Sequence, residues 1–107
     1  RLLNPEEIDA ALVALDGWRH EAGRLRREYQ FRDFVTAFAF MSGAALEAQA
    51  LNHHPAWSNV YDRVRVELWT HDKGGITPFD LELARRLETI ALSLAARSSD
   101  GEKEPNS

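Results

Sequence analysis

Two segments of this chain alternate residue by residue, and that alternation restricts the fold more than any other feature. From Arg24 to Phe31, Leu25, Arg27, Tyr29 and Phe31 share one face, while Arg26, Glu28 and Gln30 share the other. From Val64 to His71, Val64, Val66, Leu68 and Thr70 face one way and Arg65, Glu67, Trp69 and His71 the other. A further strand is expected at Trp57 to Tyr61, separated from Val64 only by Asp62-Arg63, a spacing that suits a tight hairpin. A short strand at Trp18 to His20 precedes Arg24, with Gly23 in the turn. Strands with one wet and one apolar side need a cover on the apolar side only.

The helices that would supply this cover are marked by their starts. Asn4-Pro5-Glu6-Glu7 combines a capping residue, a first-turn proline and an acid that closes a capping box. Ile8, Leu12 and Leu15 follow at helical spacing, and Asp16-Gly17 ends the segment. Asp33 caps a long helix to about Leu51. Its Phe34, Phe38, Met41, Ala45 and Ala48 lie within about 40° of a common centre at 100° per residue and are expected to face the sheet. Asn52 can end that helix, and Pro55 cannot continue it. Thr77-Pro78-Phe79-Asp80 repeats the first helix start, with Leu81, Ala84, Leu87, Ile90 or Ala91, and Leu94 as the stripe. The expected fold class is α+β, in the order α-β-β-α-β-β-α: a four-stranded antiparallel sheet with helices packed on one face. One domain is expected over residues 1–97, with a polar disordered tail at 98–107.

Composition narrows the chemistry. The chain has no cysteine, which excludes a disulfide scaffold, a thiolate metal site and a cysteine nucleophile. Lys and Arg number 13 against 17 Asp and Glu, a net charge of −4, which argues against direct nucleic-acid binding. No run of about 18 apolar residues is read as a membrane span. Arg1 to Glu7 passes straight into a capped helix without a signal-peptide pattern. A cytoplasmic location, with no membrane partner, is the expectation.

Three of the four histidines are concentrated at His53, His54 and His71. The hairpin between them returns the residues before its first strand and after its second to the same end of the sheet. Imidazole donates and accepts protons near neutrality, so two of them across a cleft could run a dehydration or an isomerisation. The bland alternative is that His53-His54-Pro55 caps the carbonyls of the long helix. A zinc site from His53 or His54, His71 and Asp72 is a third reading, although its spacing matches no common zinc pattern. Trp57 and Trp69 could stack on a flat ligand or simply pack; Asp80 most simply closes the box with Thr77. His20 lies away from the cluster and is read as a surface residue.

The run Asn52-His53-His54-Pro55-Ala56-Trp57-Ser58-Asn59-Val60-Tyr61, then Thr70-His71, then Asp80, resembles the signature of the pterin-4a-carbinolamine dehydratases. Tyr29 to Phe34, with Ala37, Phe38, Phe40 and Met41, looks like the same family's second strand and long helix. The resemblance covers about residues 4–95. It implies dehydration of 4a-hydroxytetrahydropterin to quinonoid dihydropterin, recycling the cofactor of aromatic amino-acid hydroxylases, chiefly phenylalanine hydroxylase. It implies acid–base chemistry with no metal and no cofactor. His53 and His71 would transfer protons, and His54 would help to hold the pterin. Asn52 to His54 and Trp69 to Asp72, including Thr70, would contact substrate, with Gln49, Pro55, Trp57 and Asp80 in support. It also implies a homodimer or homotetramer. An animal relative doubles as a dimerisation cofactor of a homeodomain transcription factor, so a non-catalytic binding or assembly module is the alternative. Two positions depart from the family pattern. Gln49 stands where a Glu is usual, and Trp69 where a small residue is common. Gln49 is expected to point towards the site, and Glu47 to lie on the opposite, wet side.

Overall fold

Both hairpins close in two residues, and each does so through a residue with positive φ. Glu21 pairs with Arg24, leaving Ala22-Gly23 as the turn, with φ of 52° and 75°. That sign matches the twist of the flanking strands. Val60 pairs with Arg63, leaving Tyr61-Asp62, with Tyr61 at φ 51°. The Asn59 side-chain amide donates to the carbonyls of Tyr61 (3.1 Å) and Arg63 (2.8 Å), which holds this turn in a conformation tyrosine seldom adopts.

The computed structural model describes residues 1–101, in the order α1 (Pro5–Leu12), β1 (Arg19–Glu21), β2 (Arg24–Gln30), α2 (Phe34–Leu51), β3 (Ala56–Val60), β4 (Arg63–Leu68), a 3-10 turn (His71–Lys73) and α3 (Pro78–Gly101). The backbone of α3 runs four residues into the tail expected from Ser98; the rest of that expected tail, residues 102–107, lies outside the described residues. The sheet is antiparallel throughout, in the order β1-β2-β4-β3. Central strands β2 and β4 put Leu25 opposite Leu68, Arg27 opposite Val66 and Tyr29 opposite Val64. The other face carries Arg24, Arg26, Arg65, Glu28 and Glu67, tied by ion pairs such as Arg24–Glu67 (3.0 Å) and Arg26–Glu67 (3.1 Å). The fold class is the expected α+β.

Helix α1 begins as read. The Asn4 side chain accepts from the Glu7 amide (2.8 Å), and Glu7 accepts from the Asn4 amide (2.9 Å). It ends at Leu12 rather than near Leu15, because Ala14 and Leu15 bond back three residues in a tightened turn. Strand β4 likewise stops at Leu68. Thr70 makes an isolated bridge to Gly75, and His71 belongs to the 3-10 turn rather than to the strand. His20 sits opposite Leu25 and is half-buried rather than a surface residue.

Helix α2 corrects the expected phase. Its buried residues are Thr36, Ala37, Phe40, Ala44 and Ala48. The face towards the sheet is therefore rotated by roughly 90° at 100° per residue from the expected stripe. Phe40 meets the Tyr29 and Phe31 rings at 4.8 and 5.2 Å. Phe34, Phe38 and Ala45 point outwards, with Phe38 55% exposed. Glu47, its side chain 40% exposed, accepts from Arg86 of α3 at 3.0 Å. The misreading has a physical cause. The helix carries one charge in 18 residues, so it has no polar face to fix its phase. By length and composition it is apolar enough to cross a bilayer, which the search for an unbroken apolar run missed. Here one side packs on the sheet and an adjoining side on α3, where Gly43 lies against Ile90.

Candidate active site

The end of α2 delivers the first two histidines. Asn52 is the helix C-cap in the left-handed region (φ 53°, ψ 42°), where asparagine is among the residues that fit best. Its amide bonds to the Ala48 and Gln49 carbonyls, and the His53 amide bonds to Ala48 at 3.0 Å. Pro55 stops any further turn, and β3 begins at Ala56. The His53 amide thus helps to cap the helix, as the bland reading held, while the imidazoles are committed elsewhere.

Nε2 of His53 lies 2.5 Å from Oδ1 of Asp80, a short hydrogen bond. Asp80 is fully buried, with no exposed surface. Its Oδ2 accepts from the Thr77 amide (2.9 Å) and from the Thr70 hydroxyl (2.8 Å). One carboxylate therefore joins the end of α2, the start of α3 and the segment beyond β4. Thr70 directly precedes His71, so the link brings the His71 backbone to the His53 side of the molecule. The His71 side chain is exposed, and its ring lies 4.6 Å from that of Trp69. The Arg24 guanidinium sits 4.0 Å from the Trp69 ring centre, a cation–π contact, and is also paired to Glu67.

His54 is exposed, and its Nε2 donates to Oε1 of Gln49 at 2.9 Å. Gln49 thus reaches His54. Trp57 lies on the covered face of the sheet and packs against the core, while Asp72 is exposed in the 3-10 turn. Among the described residues no group of three metal-ligating side chains comes together, so the zinc reading gains no support. The Phe79 ring lies 6.0 Å from that of His53. Beside it is a recess of about 380 Å³ lined by Leu51, Pro78, Phe79, Glu82, Arg85 and Arg1. The sequence reading missed Thr77 as more than a cap and Phe79 altogether. The only signal for either was its place beside Asp80.

The family model for pterin 4 alpha carbinolamine dehydratase matches residues 1–90. The chain belongs to the pterin-4-alpha-carbinolamine dehydratase family. A Solibacter usitatus protein named "Putative pterin-4-alpha-carbinolamine dehydratase" is 51% identical over 89 residues, 83% of this chain and 94% of the relative. A Synechococcus relative of the same name is also 51% identical over 89 residues, 83% of this chain and 96% of its own length. The crystal structure of a transcriptional coactivator/pterin dehydratase from Brucella melitensis superposes with a TM-score of 0.83 at 45% identity, covering 85% of this chain and 99% of that one. The residues matched to the family include every side chain of the His53–Asp80–Thr70 assembly and His71.

Proposed function

We propose that this protein dehydrates a 4a-hydroxytetrahydropterin to the quinonoid dihydropterin, with His53 and His71 as the proton-transfer residues. The observation that supports it best is the buried Asp80 carboxylate, which accepts from His53 and from the residue preceding His71. The reaction needs two proton movements. A base takes the proton from the ring N–H beside the carbinol carbon, and those electrons form the C=N bond as the C–O bond breaks. An acid protonates the departing hydroxyl, which leaves as water. Two imidazoles in opposite protonation states supply both roles and are reset by exchanging one proton with solvent. His54, steadied by Gln49, and the backbone around Asn52 and Thr70 hold the pterin, and the recess beside Phe79 takes its substituent. No cofactor or metal is required by this sequence of steps.

In the cell this reaction would supply the quinonoid dihydropterin that a separate two-electron reduction returns, as tetrahydropterin, to aromatic amino-acid hydroxylases, phenylalanine hydroxylase among them. The working unit is a homodimer or homotetramer. Helix α2 supports that assembly: Phe34, Val35, Phe38 and Leu46 are 46%, 74%, 55% and 73% exposed on one outer face that is apolar except for Ser42 and Gln49. Such a patch on a soluble surface marks a contact site.

The test is acceleration of carbinolamine dehydration by the purified protein, with His53→Ala and His71→Ala as controls. Wild-type activity no greater than that of the double variant would refute the reading. The second reading, a non-catalytic binding or transcriptional-cofactor module on this fold, draws on Gln49 in place of the usual Glu. It also draws on the coactivator description of the Brucella protein.

A further inference from the structure

We infer that Thr70 and Thr77 are positioning residues that fix the tautomer of His53, leaving Nδ1 as the nitrogen that exchanges a proton with the substrate. The identity of that substrate rests on the dehydratase reading; the tautomer does not.

The argument is a count of hydrogens. A threonine hydroxyl has one hydrogen to donate and lone pairs to accept. The Thr70 hydroxyl donates to Oδ2 of Asp80 at 2.8 Å, so towards Thr77 it can only accept. The Thr77 hydroxyl lies 2.8 Å from it and is therefore the donor; its 3.5 Å separation from Oδ2 makes a poor alternative. The chain of hydroxyls has one direction, from Thr77 through Thr70 to Asp80. The Thr77 amide adds a second donor to Oδ2 at 2.9 Å. With Oδ2 engaged twice, Oδ1 is left for His53, and a carboxylate oxygen accepts. The hydrogen between them is therefore on Nε2.

The other ring nitrogen is then a lone-pair acceptor. Nδ1 of His53 has no hydrogen-bond partner among the described residues, and it is not one of the sealed, unpartnered polar side-chain atoms, which are Nε of Arg26 and of Arg27. It consequently reaches the surface through the 14% of the side chain that is exposed. Phe79 flanks the ring at 6.0 Å and a tilt of 32°, narrowing the approach. Without the Thr70 hydroxyl, Oδ2 keeps the Thr77 amide but loses its other short donor, and the carboxylate is held less tightly against Nε2. His53 can then exchange its Nε2–H form for the Nδ1–H form, which presents a donor where the reaction needs an acceptor.

The experiment is two-bond proton–nitrogen correlation NMR of the full chain at alkaline pH, with histidine labelled by 15N, in wild type, Thr70→Val and Thr70→Ser. The wild type should show His53 as a single Nε2–H tautomer. Thr70→Val should draw the two ring-nitrogen shifts together as the tautomers mix, and Thr70→Ser should restore the separation. In the dehydration assay Thr70→Val should lower kcat by about ten-fold, the scale of losing an outer partner of a functional histidine, with KM nearly unchanged. An Nδ1–H wild type, or a Thr70→Val spectrum identical to wild type, overturns the inference. A protein without dehydratase activity would sink the proposed reaction but leave the NMR outcome to decide the tautomer.

Discussion

Gln49→Glu separates an active enzyme from an inactive relative, and its size can be worked out beforehand. The Gln49 oxygen lies 2.9 Å from Nε2 of His54, and both side chains are exposed. A glutamate there keeps the hydrogen bond and adds a charge. An exposed ion pair is worth about 0.2–1 kcal/mol. If His54 carries positive charge in the transition state, that converts to a gain of about 1.4- to 5-fold at 1.36 kcal/mol per decade. Initial rates of quinonoid formation at saturating carbinolamine would measure it, and high salt should erode the gain. A gain above roughly 50-fold corresponds to about 2.3 kcal/mol, more than twice what such a pair supplies. That result would refute the view that Gln49 only orients His54. It would mean that the missing carboxylate is a required base and that this protein has largely lost the reaction.

Three further outcomes test the frame. Glu88 accepts from the Tyr29 hydroxyl (2.7 Å) and Trp18 Nε1 (3.0 Å); orphaning two buried donors in Glu88→Leu should cost about 2–5 kcal/mol in urea unfolding, whereas Glu88→Gln, which keeps an acceptor, should lose less than half of that. The dehydration rate of the folded protein should not change, and a Glu88→Leu loss below about 0.5 kcal/mol would contradict the assignment. Hydrogen bonds from the side chain and amide of Thr36 hold the Asp33 carboxyl below its usual range, so its contribution is present above the unfolded pKa and lost as pH falls through the folded value. Asp33→Ala should accordingly lower Tm by a few degrees at neutral pH and by less in acid; an equal loss at both would exclude the charge as the cause. Phe38→Glu with Leu46→Glu should shift the protein to monomers in sedimentation without unfolding it, and an unchanged mass would remove α2 from the assembly.

Much of the fold was legible because its signals are local. The box at Asn4 and Glu7, the cap at Asp33 and the alternation of Val64, Val66 and Leu68 each depend on neighbours in the chain. The phase of α2 was not legible. Its apolar residues fill more than half of the helix circumference, and the large ones, Phe34 and Phe38, sit on the outer face. The small Ala37, Ala44 and Ala48 approach the sheet instead, leaving room for one large ring, Phe40. Ranking positions by size selects the wrong side whenever another surface competes for the large side chains. A second subunit on α2 would be such a surface.

The site was legible in its histidines and opaque in its carboxylate, for a related reason. The starts of α1 and α3 read alike: a capping residue, a proline and an acid three positions after the cap. In α1 the acid, Glu7, is exposed and among the described residues pairs only with Asn4 and Arg1. In α3 the corresponding Asp80 accepts from its own cap through Oδ2 but turns Oδ1 to His53. Helix capping and site building are therefore not competing explanations of Asp80: Oδ2 takes the cap amide together with Thr70, and Oδ1 takes His53. What distinguishes the two helix starts is the opposing structure. The start of α1 faces solvent, whereas that of α3 faces the C-terminus of α2 and the segment after β4. A local motif cannot report that difference. It also follows that removing the carboxylate would loosen the start of α3 and release His53 together, so stability and activity are coupled at this position. The Thr70 hydroxyl, which takes no part in the helix cap, is where they can be separated.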